Sequence, residues 1–142
     1  MANEYVIKQL SIFINNEPGR LAQIAAALKE CNINMKAFNI AESSGFGVFR
    51  AIVDEPGRAF KELSKKGIVV KETDVIAIPM VDRPGGLLEV AKAVGDANIN
   101  IEYGYAYSTK ELAAFFFRVD DVDAAVKKLL AAGVKVLKGN QV

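Results

Sequence analysis

Apolar positions along the chain change period several times, and each change marks an element. In "IKQLSIFIN" (residues 7–15), apolar residues alternate from Leu10 through Ile12 to Ile14, as in a strand with one buried face. After Pro18-Gly19, Leu21, Ile24, Ala25 and Leu28 recur at helical spacing and form one stripe. "MKAFNIAE" and "GVFRAIV" then read as a strand pair joined by "SSGFG", whose glycines permit positive φ. A helix carrying Phe60 and Leu63 follows, Gly67 stands where a helix ends in a left-handed residue, and "IVV" supplies a last strand.

The pattern then begins again. Shifted by 66 residues, the sequence aligns with itself without a gap. Pro18, Gly19 and Leu21 fall on Pro84, Gly85 and Leu87, and "NIN" at 32–34 falls on "NIN" at 98–100. Phe49, Val53 and Asp54 fall on Phe115, Val119 and Asp120, and Gly67 on Gly133. The second copy predicts a helix through Leu87, Val90, Ala91 and Val94, and the strand pair "IEYGYAYS" and "LAAFFFRV". A helix through Val126, Leu129 and Leu130 and a last strand "VKVL" complete it. The fold class is therefore α+β: two ferredoxin-like βαββαβ units in tandem, over residues 1–71 and 72–142, each an antiparallel sheet with two helices on one face. Units this small leave a sheet face and edges open, so the copies are expected to pack together and on a second chain as a homodimer. Only "KETD" connects the last strand of the first copy to the strand near Val75, which leaves no flexible linker.

Composition narrows the chemistry. With 51% apolar and 25% charged residues in 142, the chain can build a packed core. A formal net charge of +1, with no long run of one sign, gives no electrostatic footprint for nucleic acid or an anionic membrane. There is no histidine, which removes Ser-His and Cys-His catalysis and the commonest metal ligand. The single cysteine, Cys31, allows no internal disulfide, fits a reduced cytoplasmic setting, and reads as a core thiol at a helix end. The start of the chain lacks the basic and apolar regions of a signal peptide, and no apolar run approaches membrane length. No metal or cofactor is implied.

The repeat also sorts three Pro-Gly pairs. Pro18-Gly19 and Pro84-Gly85 are equivalent loops between a first strand and a first helix, whereas Pro56-Gly57 has no counterpart and suits the first turn of a helix. In the paired loops, Asn16 or Asp82 can cap the helix, glycine lets another group approach the backbone, and the helix start favours a carboxylate.

"DRPGGLLEVAKAVGDANINIE" resembles the ACT domain, whose first loop and helix read Asp-Lys/Arg-Pro-Gly-x-Leu before an apolar helix and an Asn-Ile. "NNEPGRLAQIAAALKECNINMK" is similar, with Asn16 in place of the aspartate. The resemblance covers nearly the whole chain as a tandem pair. It implies a regulatory protein that binds a small ligand, most often an amino acid, between paired domains, and acts on an enzyme or transcription partner. The implied ligand contacts are Asn16, Glu17, Gly19, Arg20 and Leu21 in the first copy, and Asp82, Arg83, Gly85, Gly86 and Leu87 in the second. Backbone amides of Gly19, Arg20, Gly85 and Gly86 would hold the carboxylate, and Asn16 or Asp82 would face the amine. Asn34 and Asn100 would form a wall from the neighbouring domain, or are turn residues. Arg20 against Gly86 makes the two loops chemically unlike, so they bind different ligands or one is silent. Tyr103, Tyr105 and Tyr107 share one strand face, as a packing surface or as an aromatic wall.

Two alternatives share the strand order. An RNA-binding RRM would place Phe13 and Phe46 for base stacking, but Val48, Ala51 and Ser44 break its signatures and the second copy lacks them. A small ferredoxin-like enzyme using Arg20 and Asn39 would want a glycine-rich phosphate cradle that the loop does not provide. The expectation is a regulatory protein with no catalytic role of its own.

Overall fold

The computed structural model describes residues 3–15 and 17–142. Its elements are β1 (Ile7–Asn15), α1 (Arg20–Glu30), β2 (Met35–Ser43), β3 (Phe46–Val53), α2 (Pro56–Lys65) and β4 (Val70–Pro79), then α3 (Gly86–Asp96), β5 (Tyr103–Ser108), β6 (Ala113–Arg118) and α4 (Val122–Ala131). The chain divides into two compact units, Lys8–Thr73 and Asp74–Val142 together with Met1–Ile7.

In the unit Lys8–Thr73 the strand order is β2-β3-β1-β4, antiparallel at β1–β3 and β2–β3, as the ferredoxin-like reading requires. Alternation decides which face is buried. Leu10 and Ile12 of β1 and Phe49, Ala51 and Val53 of β3 pack against Ile24, Ala27 and Leu28 of α1 and Ala59 and Leu63 of α2. Cys31 packs against the rim of this core as a free thiol. The opposite sheet face carries buried polar side chains: Gln9 Nε2 donates to Ser11 Oγ at 3.1 Å, and Ser11 and Thr73 hydroxyls lie 3.0 Å apart. The β2–β3 hairpin turns at Ser44 and Gly45, both at positive φ (51° and 85°), the geometry of a two-residue primed turn.

Residues 71–74, expected as a connection, are instead extended within β4, which runs unbroken from Val70 to Pro79. The four polar letters resemble a loop, but Thr73 has its partner in Ser11 across the sheet.

In the unit completed by Asp74–Val142, β6 pairs with both β4 and β5 in antiparallel register. Ile76, Ile78, Phe117 and Val119 pack against Val90 and Val94 of α3 and Val122, Val126 and Leu129 of α4. The expected strand "VKVL" is irregular: Val136 is buried in the core and the Leu137 amide donates to the Ala77 carbonyl at 2.8 Å, but residues 134–138 form no regular ladder. The chain's first residues flank this segment. Tyr5 and Val6 pack on the same core, the Gly139 amide donates to the Glu4 carbonyl at 3.1 Å, and the Lys138 ammonium lies 5.6 Å from the centre of the Tyr5 ring.

The four α-helices of the described residues stop in one way. Asn32, Gly67, Asn98 and Gly133 are left-handed, and the next residue's amide reaches back to the last turn: Ile33 to Leu28, Ile68 to Leu63, Ile99 to Val94 and Val134 to Leu129. The repeated "NI" is thus a helix stop, with the isoleucine entering or flanking the core. Asn32→Ala should cost about 1–2 kcal/mol, because a Cβ residue without a local polar side chain is strained there. Asn32→Gly should be near neutral by urea denaturation. Pro56 opens α2 at its first turn as expected, and Arg58 of the same "EPGR" reaches the Cys31 and Asn32 carbonyls at the end of α1. Glu55 is bonded to Arg58 at 2.7 Å, and that bond holds its carboxyl below the ordinary carboxylate range.

Candidate functional site

The two Pro-Gly loops are built alike. In the first, the Glu17 amide donates to the Asn15 carbonyl (2.9 Å) and the Arg20 amide to the Glu17 carbonyl (3.2 Å). In the second, Arg83 donates to Val81 and Gly86 to Arg83, both at 2.9 Å. Gly19 and Gly85 are the N-cap residues of α1 and α3 at φ of 88° and 90°, and among the described residues no side chain caps either helix. The expected cap at Asp82 is therefore not formed: its carboxylate accepts from the Ser108 hydroxyl at 2.8 Å, tying the loop to the end of β5. Asn16, its counterpart, lies outside the described residues.

What surrounds the loops differs. Arg20 lines a cleft of about 600 Å3 that lies wholly within the unit Lys8–Thr73. Ile14, Ile24, Ile68 and Val69 form apolar walls, and Phe46 and Val48 enter from the start of β3. Arg20 and Gln23, one turn apart on α1, supply polar ends, with Arg20 Nη1 donating to Gln23 Oε1 at 3.1 Å. Arg20 also lies 3.5 Å from the Glu17 carboxylate, with both side chains largely exposed. Such a pair contributes at most about 1 kcal/mol, so the guanidinium can change partners readily. Size and chemistry match a small-molecule site, where apolar walls take the body of a ligand and a few polar groups orient it.

The second loop closes on itself. Gly86 is buried, and a Cβ there would meet the Val81 carbonyl oxygen at 1.9 Å. Its missing side chain makes room for the chain's own backbone. Gly85, by contrast, faces open space, Leu87 is exposed, and Arg83 forms a surface pair with Glu89 at 3.6 Å.

The remaining expected residues lie elsewhere. Leu21 is exposed and Gly19 has open space around its Cα, and neither lines the Arg20 cleft. Asn34 lines a second cleft of about 440 Å3, with Met35, Phe38 and Asp54; its amide donates to the Asp54 carboxylate at 3.2 Å. It is not in the Arg20 cleft. Asn100 is exposed, two residues after the left-handed Asn98. Tyr105 and Tyr107 stack on Phe116, with ring centres 5.8 and 5.5 Å away, and burial pushes the Tyr107 hydroxyl up. Both rings thus rest on β6.

Loop-centred reasoning missed the apolar walls. The visible signal was Phe46, an aromatic just after a tight turn, which is 68% exposed, and Phe13, which also lines the cleft. The RNA-binding alternative had selected both as stacking residues; the structure gives them a shared place in this cleft. Among the described residues no acidic, cysteine or histidine cluster could hold a metal, and no helix is long and apolar enough to cross a membrane.

Similarity to known proteins follows the same lines. A Bacteroides thetaiotaomicron protein of known crystal structure is 35% identical, with a TM-score of 0.88 over 97% of this chain and 96% of its own. The regulatory subunit of aspartate kinase from Thermus thermophilus, in its ligand-free form, superposes with a TM-score of 0.61 at 17% identity, over 92% of this chain and 95% of that one. E. coli aspartokinase III in complex with lysine and aspartate superposes at 0.52 and 16% identity, over 89% of this chain and 31% of that enzyme. Among curated proteins none matches. Residues 5–141 match the ACT domain pair family, and the chain belongs to that family.

Proposed function

We propose that this ACT domain pair is a regulatory protein that binds an amino acid in the Arg20 cleft and acts on a separate enzyme or transcription partner, without chemistry of its own. The observation that carries the reading is the pairing of one exchangeable guanidinium with apolar walls in a cleft of about 600 Å3. A free amino acid offers both halves of that match. Its carboxylate can displace Glu17 from Arg20 in a charge-assisted contact, and Gln23 adds a neutral polar partner. Its side chain would lie against Ile14, Ile24, Phe46 and Val48, which favours an apolar one, at about 25 cal/mol for each Å2 removed from water. The second loop, closed by Gly86 on Val81, has a different role or none in binding.

A thermal-shift screen of the common amino acids tests this. An apolar amino acid at a hundredfold excess over its Kd should stabilise the fold by about 2.7 kcal/mol and raise Tm by several degrees. By calorimetry, Arg20→Ala should weaken binding by about tenfold or more, since charged hydrogen bonds contribute about 1.5–3 kcal/mol. A flat screen with flat calorimetry would remove the amino-acid assignment. Undiminished binding by Arg20→Ala would move the site away from this cleft.

A further inference from the structure

The Arg20 cleft lies where β1 outruns its neighbour β4. The Phe13 amide donates to the Val69 carbonyl at 3.0 Å, β4 begins at the next residue, Val70, and β1 continues to Asn15. Ile14 and Asn15, beyond that last bond, line the cleft. Strand alternation turns the Asn15 amide the same way as the Phe13 amide, toward the opening that β4 leaves.

The apolar lining falls into two groups, one on each face of the sheet. Ile24 belongs to the core under the helices, and Ile14 and Ile68 pack against it. Phe13 and Val48 are paired across β1 and β3, and Phe46, opposite Asn15, continues that other face. Phe13, Phe46 and Val69 are exposed, at 47%, 68% and 65%. Consecutive side chains of an extended chain point to opposite faces, so two successive apolar residues would meet both groups.

Charge and size separate the end of a peptide from a free amino acid. Arg20 offers a carboxylate its cationic partner, but among the described residues no acidic side chain lines the cleft to receive an ammonium. An acylated nitrogen needs none. Even at one water's share of about 30 Å3 for every non-hydrogen atom, free leucine fills less than half of about 600 Å3, whereas acetyl-Val-Leu stays within it. Nor does the duplicated fold require this lining. In the second copy the positions of Arg20, Gln23, Phe13 and Val69 hold Gly86, Glu89, Pro79 and Lys135.

We infer that the Arg20 cleft receives the C-terminal end of a polypeptide partner, two successive apolar residues in extended form. The terminal carboxylate takes Arg20 and Gln23, and the last side chain lies with Ile14, Ile24 and Ile68. The side chain before it lies on Phe13, Phe46 and Val48, and a peptide carbonyl accepts from the Asn15 amide. This rests on the reading of the same cleft as the ligand site, and extends it to a macromolecular terminus that competes with the free amino acid.

Isothermal titration of the full chain with acetyl-Val-Leu, its C-terminal amide, acetyl-Leu and free leucine tests the inference. Acetyl-Val-Leu should bind about tenfold or more tightly than its amide, because amidation removes the charged contact with Arg20. It should also exceed acetyl-Leu by about tenfold, since the shorter ligand leaves one apolar group of the cleft in water. Arg20→Ala should abolish the difference between acid and amide. Phe46→Ala should bring acetyl-Val-Leu near acetyl-Leu and leave acetyl-Leu unchanged, with a native melting curve because Phe46 is exposed. Peptide binding without leucine binding upholds the inference and removes the free amino acid instead. Free leucine binding more tightly than acetyl-Val-Leu overturns it and leaves the amino-acid reading standing. Binding that ignores amidation, or acetyl-Leu as tight as acetyl-Val-Leu, overturns it equally. Silence from all four ligands removes both readings.

Discussion

Replacing Gly86 with alanine is expected to lower the stability of the fold by about 1–3 kcal/mol, the usual cost of forcing a group into filled space. The added Cβ would stand 1.9 Å from the Val81 carbonyl oxygen and 3.0 Å from its carbon, so backbone must move and no flexible side chain can give way. For a chain of this length the loss corresponds to a fall in Tm of roughly 2–12 °C. Two other glycines provide the comparison. Gly85 has open space around it but φ is +90°, so alanine there should cost about 1–2 kcal/mol through strain alone. Gly57 lies in the first turn of α2 with nothing within 4 Å, and alanine should stabilise there by up to about 1 kcal/mol. Differential scanning calorimetry of the three variants should give large loss, moderate loss and small gain. A neutral Gly86→Ala would mean that the loop does not pack on Val81 as described.

Phe117→Ala should have the larger effect, about 3–5 kcal/mol by urea or thermal unfolding. Phe117 is fully buried on β6, shares a core with Ile76, Val94 and Leu129, and stacks on Phe115 with ring centres 5.4 Å apart. Truncation removes a ring from a site walled by one strand and two helices, which can collapse only partly. Phe117→Leu should recover most of the loss, because it restores volume without polar atoms. A cost below about 1.5 kcal/mol for the alanine variant would contradict the described core.

Much of this architecture could be read from letters alone, because short-range rules govern it. Strand β1 occupies the nine predicted residues, and the helices begin and end within a few residues of the predicted stripes. Gly67 and Gly133 marked two helix stops for a local reason, since few other residues tolerate positive φ; the left-handed Asn32 and Asn98 were found only in the structure. Two local readings failed for non-local reasons. "KETD" has loop-like composition, yet it lies in β4, with Thr73 beside Ser11, a residue 62 positions earlier in the chain. "VKVL" has strand composition, yet its place beside β4 is reached through scattered contacts, the Leu137–Ala77 bond among them.

The candidate site divides along the same line. Arg20 was legible because it sits in a loop that the 66-residue repeat singled out, and the family resemblance followed from that motif. The cleft was not, since its walls come from β1, α1, the start of β3 and the turn before β4, spread from Phe13 to Val69. Nor could the letters show that Gly86 faces the Val81 carbonyl while Arg20, at the equivalent position, opens on a cleft. Periodicity, turn chemistry and duplication are properties of neighbours along the chain, and they set the element order, the tandem fold and the family. Which loop has space beside it depends on distances between residues far apart in sequence, and those exist only once the sheets and helices have packed.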